Sequence, residues 1–154
     1  MDQIIIRKAT IADLERLYQF EQGVIEAERP YDSTLKEKTH YYDLEEMINA
    51  SHIELLVAEV EGKIIASGYA RVEKAKHYLK HNTHAYLGFM YVLPEHRGKG
   101  INKIIIEALK KWTHSQNIAE LRLDVYFDNI SAIKAYEKIG FSKHMIEMRF
   151  NLEE

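Results

Sequence analysis

The stretch Val92-Leu93-Pro94-Glu95-His96-Arg97-Gly98-Lys99-Gly100-Ile101-Asn102-Lys103 decides how the rest of this 154-residue chain is read. An apolar run from Tyr86 to Leu93 stops at Pro94, a basic turn carrying two glycines follows, and apolar residues then recur at 101, 104, 105, 108, 109 and 112. That spacing predicts strand, turn and helix. Gly98 and Gly100 let backbone N–H groups approach a ligand closely, and the unpaired N–H groups of a helix's first turn favour an anion. Arg97, Lys99 and Lys103 bring side-chain cations to the same place. The stretch reads as a pyrophosphate cradle.

Spacing excludes two other phosphate loops. A P-loop needs Gly-Lys-Ser/Thr, and here Gly98-Lys99 is followed by Gly100-Ile101. The dinucleotide pattern G-x-G-x-x-G needs a glycine where this chain has Lys103.

The cradle resembles the cofactor motif of the Gcn5-related N-acetyltransferases, Arg/Gln-x-x-Gly-x-Gly/Ala, here Arg97-Gly98-Lys99-Gly100-Ile101-Asn102 with Asn102 in place of the usual small residue. A second block, Asn129-Ile130-Ser131-Ala132-Ile133-Lys134-Ala135-Tyr136-Glu137-Lys138-Ile139-Gly140-Phe141, resembles the family's Asn-x-x-Ala-x-x-x-Tyr-x-x-x-Gly-Phe signature without a mismatch. The resemblance implies one N-acetyltransferase domain over residues 1–154, with a mixed, mostly antiparallel α/β sheet bearing helices on both faces. It also implies acetyl-CoA as cosubstrate and a primary amine, on a small molecule or a protein, as acceptor.

The same resemblance assigns roles. Arg97, Gly98, Lys99, Gly100, Ile101, Asn102 and Lys103 would hold the pyrophosphate. Met90, Tyr91 and Val92 would offer a strand edge to the pantetheine arm, with the N–H near Met90 as oxyanion donor. Asn129 and Ala132 would contact the cofactor, and the Tyr136 hydroxyl would donate to the departing sulfur. A phenol with an ordinary pKa of about 10 is protonated at neutral pH and suits that last role. Some family members carry a glutamate four residues before the oxyanion donor, where this chain has Tyr86. Glu28, at the end of the first expected helix, is then a candidate base acting through water, against the plain reading of a surface acid. An acyl-CoA-binding module without turnover is the rival reading.

Composition narrows the classes further. Twenty-one Lys and Arg against 24 Asp and Glu give a net charge of −3, which argues against a protein built to grip nucleic-acid phosphates. With no cysteine, disulfides and thiolate chemistry are excluded. No apolar run approaches the roughly 18 residues a membrane span needs, so a cytoplasmic protein is expected, with no membrane partner. His77, His81 and His84 are read as solvated side chains and not as metal ligands, since no carboxylate or thiolate set accompanies them. A homodimer is compatible with the sequence, which does not fix the oligomeric state.

In chain order, a first strand is expected over 3–8, a helix from the Thr10/Asp13 capping box to about Ala27, and a second helix from Asp43 to about Ala50. Strands 53–60 and 63–72 flank a Glu61-Gly62 turn, and 73–83 reads as a loop. Strand 86–93, helix 101–114, strand 121–126, helix 129–138 and a closing strand 144–152 complete the order. The tyrosine-rich, acidic segment from Tyr31 to Glu46 reads equally as a lining for a cationic acceptor or as ordinary surface.

Overall fold

A computed structural model describes residues 3–153 as two compact units, one running to Asp124 and the other starting at Val125. The first unit holds a five-stranded sheet in sequential order: β1 (Ile5–Lys8), β2 (Ile53–Val60), β3 (Lys63–Lys74), β4 (Thr83–Val92) and β5 (Leu121–Arg122). The first three pairings are antiparallel and β4–β5 is parallel, so the sheet is mixed as expected. The β2–β3 hairpin turns on Glu61 and Gly62, with φ of 50° and 79°. Two successive positive φ values are what a tight turn matched to strand twist requires.

Alternation along β2 splits the core into two layers. Leu55 and Val57 join Leu17 and Phe20 of α1 (Leu14–Glu28) and Leu44 and Met47 of α2 (Leu44–Asn49) in one buried cluster. Leu56 and Ala58 point the other way, to the face contacted by α3 (Ile101–Ser115), whose Ile101, Ile105, Ile106 and Leu109 are buried. Caps fix where these helices begin. Asp13 Oδ2 accepts from the Thr10 N–H at 2.8 Å, and Asp43 Oδ1 accepts from the Glu46 N–H at 3.1 Å. Asp13 also takes a forked pair of bonds from Arg7, at 2.8 and 2.9 Å, which hold its carboxyl below the usual range.

The expected loop at 73–83 is shorter than read. Glu73 pairs with His84 and Lys74 with Thr83, leaving only 75–82 outside the ladder. These polar residues pair because backbone hydrogen bonds continue there; Arg71 and Glu73 also pair with each other, at 2.7 Å. His84 is consequently buried, with Nε2 3.3 Å from Glu73, which corrects its reading as solvated. The expected strand 121–126 is paired only at Leu121 and Arg122.

The second unit contains α4 (Ile130–Ile139), capped at its start by Asn129 and ended by Gly140 at φ 123°. Within the second unit, residues 142–153, where the closing strand 144–152 is expected, pair with no other segment of that unit among the described residues. Alternation of apolar and polar residues describes a face, but a strand exists only where a neighbour supplies hydrogen bonds.

Glycine at 88 is demanded by packing. A Cβ there would lie 2.6 Å from the buried Tyr69 ring, so Gly88→Ala is expected to destabilise the protein by about 1–3 kcal/mol. Urea unfolding of the variant measures this, and an unchanged midpoint would mean that Tyr69 moves aside freely.

Candidate functional site

The β3–β4 register steps from Ser67↔Tyr91 to Tyr69↔Gly88, so β4 carries one more residue than β3 between those pairs. The extra residue is a bulge at Phe89, whose φ is 53°. Ser67 Oγ donates to the Phe89 carbonyl at 2.9 Å, in a fully buried position, and holds the kink. Past the bulge the ladder resumes, with Leu93 N–H donating to Ile65 O at 2.9 Å. Phe89 and Tyr91 pack towards α1 and α2, whereas the Met90 sulfur lies towards Ile105 of α3, beside Gly68.

On its other edge β4 pairs with β5 only at Ala85 and Tyr86. From Leu87 to Val92 that edge has no strand partner among the described residues. Met90, Tyr91 and Val92, expected to present an edge, are therefore on an unpaired strand segment next to a bulge. Such a segment can accept an extended, amide-bearing ligand as an added strand.

Directly after β4 comes the cradle. Gly98 has φ 77° and Gly100, the N-cap of α3, has φ 78°. A Cβ at either position would meet nothing within 4 Å, so the glycines border open space, and their need is conformational. Lys99 and Lys103 are exposed, while Ile101 is buried and seats the helix. Arg97 Nε donates to Val92 O at 2.8 Å and its guanidinium lies 5.6 Å from the Tyr91 ring centre, which ties the cradle to the strand. Asn102 Oδ1 is buried without a hydrogen-bond partner among the described residues. The open glycine turn, the cations and the first turn of a 15-residue helix fit a pyrophosphate.

On the α1–α2 side of the bulge lies a row of aromatic rings. Tyr42 sits 4.7 Å from Phe89 and 6.0 Å from Tyr69, and Tyr69 sits 6.4 Å from Tyr86. Burial raises the pKa of all three phenols. The segment bearing Tyr42 is fixed by the fully buried Glu21, which accepts from the N–H groups of Tyr41 and Tyr42 at 2.9 and 2.8 Å and lies 2.8 Å from His40 Nδ1. Glu28 ends α1 half-buried; burial raises its carboxyl above the usual range, and a hydrogen bond with Tyr41 works against that. Its charge in turn helps to raise Tyr42. The row was not legible in sequence, where Ser67, Tyr69 and Asp124 carried no motif and Glu21 was one of eight acids between positions 21 and 46.

In the second unit Asn129 Oδ1 accepts from the Ala132 N–H at 3.3 Å, so both residues of the signature take part in the helix cap. Tyr136 lies edge-on to Phe141, 5.9 Å between centres, and its carbonyl accepts from the Gly140 and Phe141 N–H groups.

Comparisons with known proteins agree with this geometry. The sequence profile described as "Acetyltransferase (GNAT) family" matches residues 13–141. The chain is 26% identical over 153 residues to an aminoglycoside N(6′)-acetyltransferase type 1 of Stenotrophomonas maltophilia, covering 96% of this chain and 94% of that one. It is 30% identical over 115 residues to an N-alpha-acetyltransferase of Saccharolobus solfataricus, covering 71% and 69%. Its fold is similar to a crystal structure of a predicted acetyltransferase with acetyl-CoA from Clostridium acetobutylicum, with a TM-score of 0.73, 19% identity and 97% of each chain covered.

Gly100→Asp would set a carboxylate beside the anion site on a backbone that side chains rarely adopt. We expect a loss of CoA affinity of about tenfold or more with a stability cost near 1 kcal/mol. Calorimetric titration with CoA reads the first, and unchanged affinity in the folded variant would remove the cradle assignment.

Proposed function

The chain belongs to the acetyltransferase (GNAT) family, and from that premise we propose how its residues divide the work of an acetyl-CoA-dependent N-acetyltransferase acting on a primary amine. The observation that carries the reading is the bulged β4, with an unpaired edge from Leu87 to Val92 running straight into the cradle. The two units act together as one domain, a reading supported by a profile match that runs through both.

Gly98, Lys99, Gly100, Ile101, Asn102 and Lys103 hold the pyrophosphate through backbone N–H groups, the helix N-terminus and side-chain charge. Arg97, whose Nε is engaged with Val92, offers its remaining N–H groups. Backbone groups of Met90, Tyr91 and Val92 align the pantetheine arm, and the Met90 N–H stabilises negative charge as it develops on the thioester oxygen. Asn129 and Ala132 open the cofactor-side helix. Tyr136 donates its proton to the thiolate that leaves. Glu28 takes a proton from the incoming amine through a water, a role supported by its half-buried place beside Tyr41 and Tyr42. The amine attacks directly, since the chain has no cysteine to carry an acyl group.

The relatives named above act on amines of different kinds, an aminoglycoside in one case and an N-terminal α-amine in the other. Acetyl transfer to an amine is what the two names have in common, and on this chain we assign the acceptor side to the Tyr42–Tyr69–Tyr86 row. No described helix is long and apolar enough to cross a membrane. We place the reaction in the cytoplasm, in keeping with the absence of cysteine.

Two variants test the roles. Tyr136→Phe should lower the single-turnover rate about a hundredfold while acetyl-CoA affinity stays near wild type; a wild-type rate in a stable variant would remove the general-acid role. Glu28 accepts a proton only when ionised, so activity should fall as pH drops through its raised pKa, and the acid limb of kcat/KM should lie above the ordinary glutamate range. Glu28→Gln should lose that limb along with most of the rate. A pH profile identical to wild type would contradict the assignment.

A further inference from the structure

The acids of β3 and of the β5 segment differ in one respect. Glu73 is neutralised by Arg71 at 2.7 Å, and Glu120 by Arg122. Asp124 forms no ion pair among the described residues; its one side-chain partner is the neutral Tyr86 hydroxyl, which donates to Oδ2 at 3.1 Å. Tyr86 is itself held firmly, with the Arg71 guanidinium 5.5 Å from its ring centre and Tyr69 6.4 Å away. Charge on Asp124 reaches both Tyr69 and Tyr86, and burial together with that charge keeps the Tyr86 phenol protonated and donating. The carboxylate is thus oriented by a bond that does not cancel its charge.

Register places it relative to the reaction. Tyr86 pairs with Arg122 in the parallel β4–β5 ladder. The ladder ends there; Asp124 follows two residues later with its carboxylate tied to Tyr86, which stands four residues before Met90 on β4. That is too far to bond a nitrogen attacking a thioester whose oxygen faces the Met90 N–H, and near enough to reach the next polar group of the same molecule. Chemistry points the same way: an unneutralised carboxylate stabilises an ammonium, which has no lone pair with which to attack.

We propose that Asp124, oriented by Tyr86, anchors a second ammonium on the acceptor, so that the enzyme prefers diamines and polyamines over monoamines. The proposal rests on the acetyltransferase reading above. The reacting nitrogen enters as an ammonium and gives one proton to Glu28, and its lone pair forms the C–N bond while the C–S bond breaks. Its second proton is lost as the CoA thiolate gains one from Tyr136, so that acetyl-CoA and R–NH3+ become CoA, R–NH–acetyl and one H+. The anchored ammonium keeps its protons throughout.

Steady-state kinetics with butylamine and 1,4-diaminobutane as the acceptor pair test it. Wild type should favour the diamine in kcat/KM by about tenfold or more, and added salt should shrink that preference. Asp124→Asn should raise KM for the diamine to the butylamine level, with kcat for both amines within about twofold of wild type. Tyr86→Phe should shift the same KM in the same direction by less. A merely structural role for Asp124 would change both amines alike. Equal use of the two amines by wild type, or an equal effect of Asp124→Asn on both, overturns the anchor and leaves the acetyltransferase reading standing. Binding of acetyl-CoA without transfer to either amine, or to an aminoglycoside or a peptide N-terminus, overturns that reading and the anchor with it.

Discussion

Phe89 holds a φ of 53° within β4, where a side chain other than glycine's meets a steric cost of about 1–2 kcal/mol. Two contacts sustain it: the ring is buried 4.7 Å from Tyr42, and Ser67 donates to the carbonyl from beneath. Much else follows from that one residue. The bulge resets side-chain alternation, so that Gly88 and Phe89 both lie on the α1–α2 side and the Tyr69 ring can occupy the space a Cβ at position 88 would take. It also bends β4 where its pairing with β5 has already ended, which leaves that edge without a strand partner from Leu87 to Val92 among the described residues, with the Val92 carbonyl taken by Arg97. Strain of this kind persists only where surrounding packing over-determines it.

Reading the sequence recovered what depends on local spacing. The cradle, α3 and the Glu61-Gly62 turn came out within a residue or two because glycines, proline and a 3.6-residue period act within one or two turns of chain. What depends on a distant partner was not legible. The ladder between Glu73 and His84 extends through polar residues that hydropathy assigns to a loop. Nor did any motif announce the bulge, since Phe89 looks like any core residue until Ser67 is seen below it.

Candidate site residues divide the same way. The residues proposed for the pyrophosphate could be named from sequence because their chemistry is written in consecutive positions, Arg97 to Lys103. The proposed acceptor side draws on Glu28, Tyr42, Tyr69, Tyr86 and Asp124, spread over almost a hundred positions and linked by ring contacts, one hydrogen bond and the charge of Glu28 on Tyr42. Glu21 shows that charge in a sequence does not report burial: it is fully buried and holds the Tyr41–Tyr42 backbone in place. A buried carboxylate so fully hydrogen-bonded shapes the acceptor wall while remaining outside the chemistry.

The central claim is that the unpaired, bulged part of β4 and the glycine turn after it serve one acyl-CoA. Hydrogen–deuterium exchange of the backbone amides, with and without saturating acetyl-CoA, tests this most directly. The account predicts strong protection confined in the first unit to Phe89–Val92 and Arg97–Lys103, with the β2–β3 hairpin unaffected. Saturable binding of acetyl-CoA that leaves those amides exchanging at their free rates would contradict it.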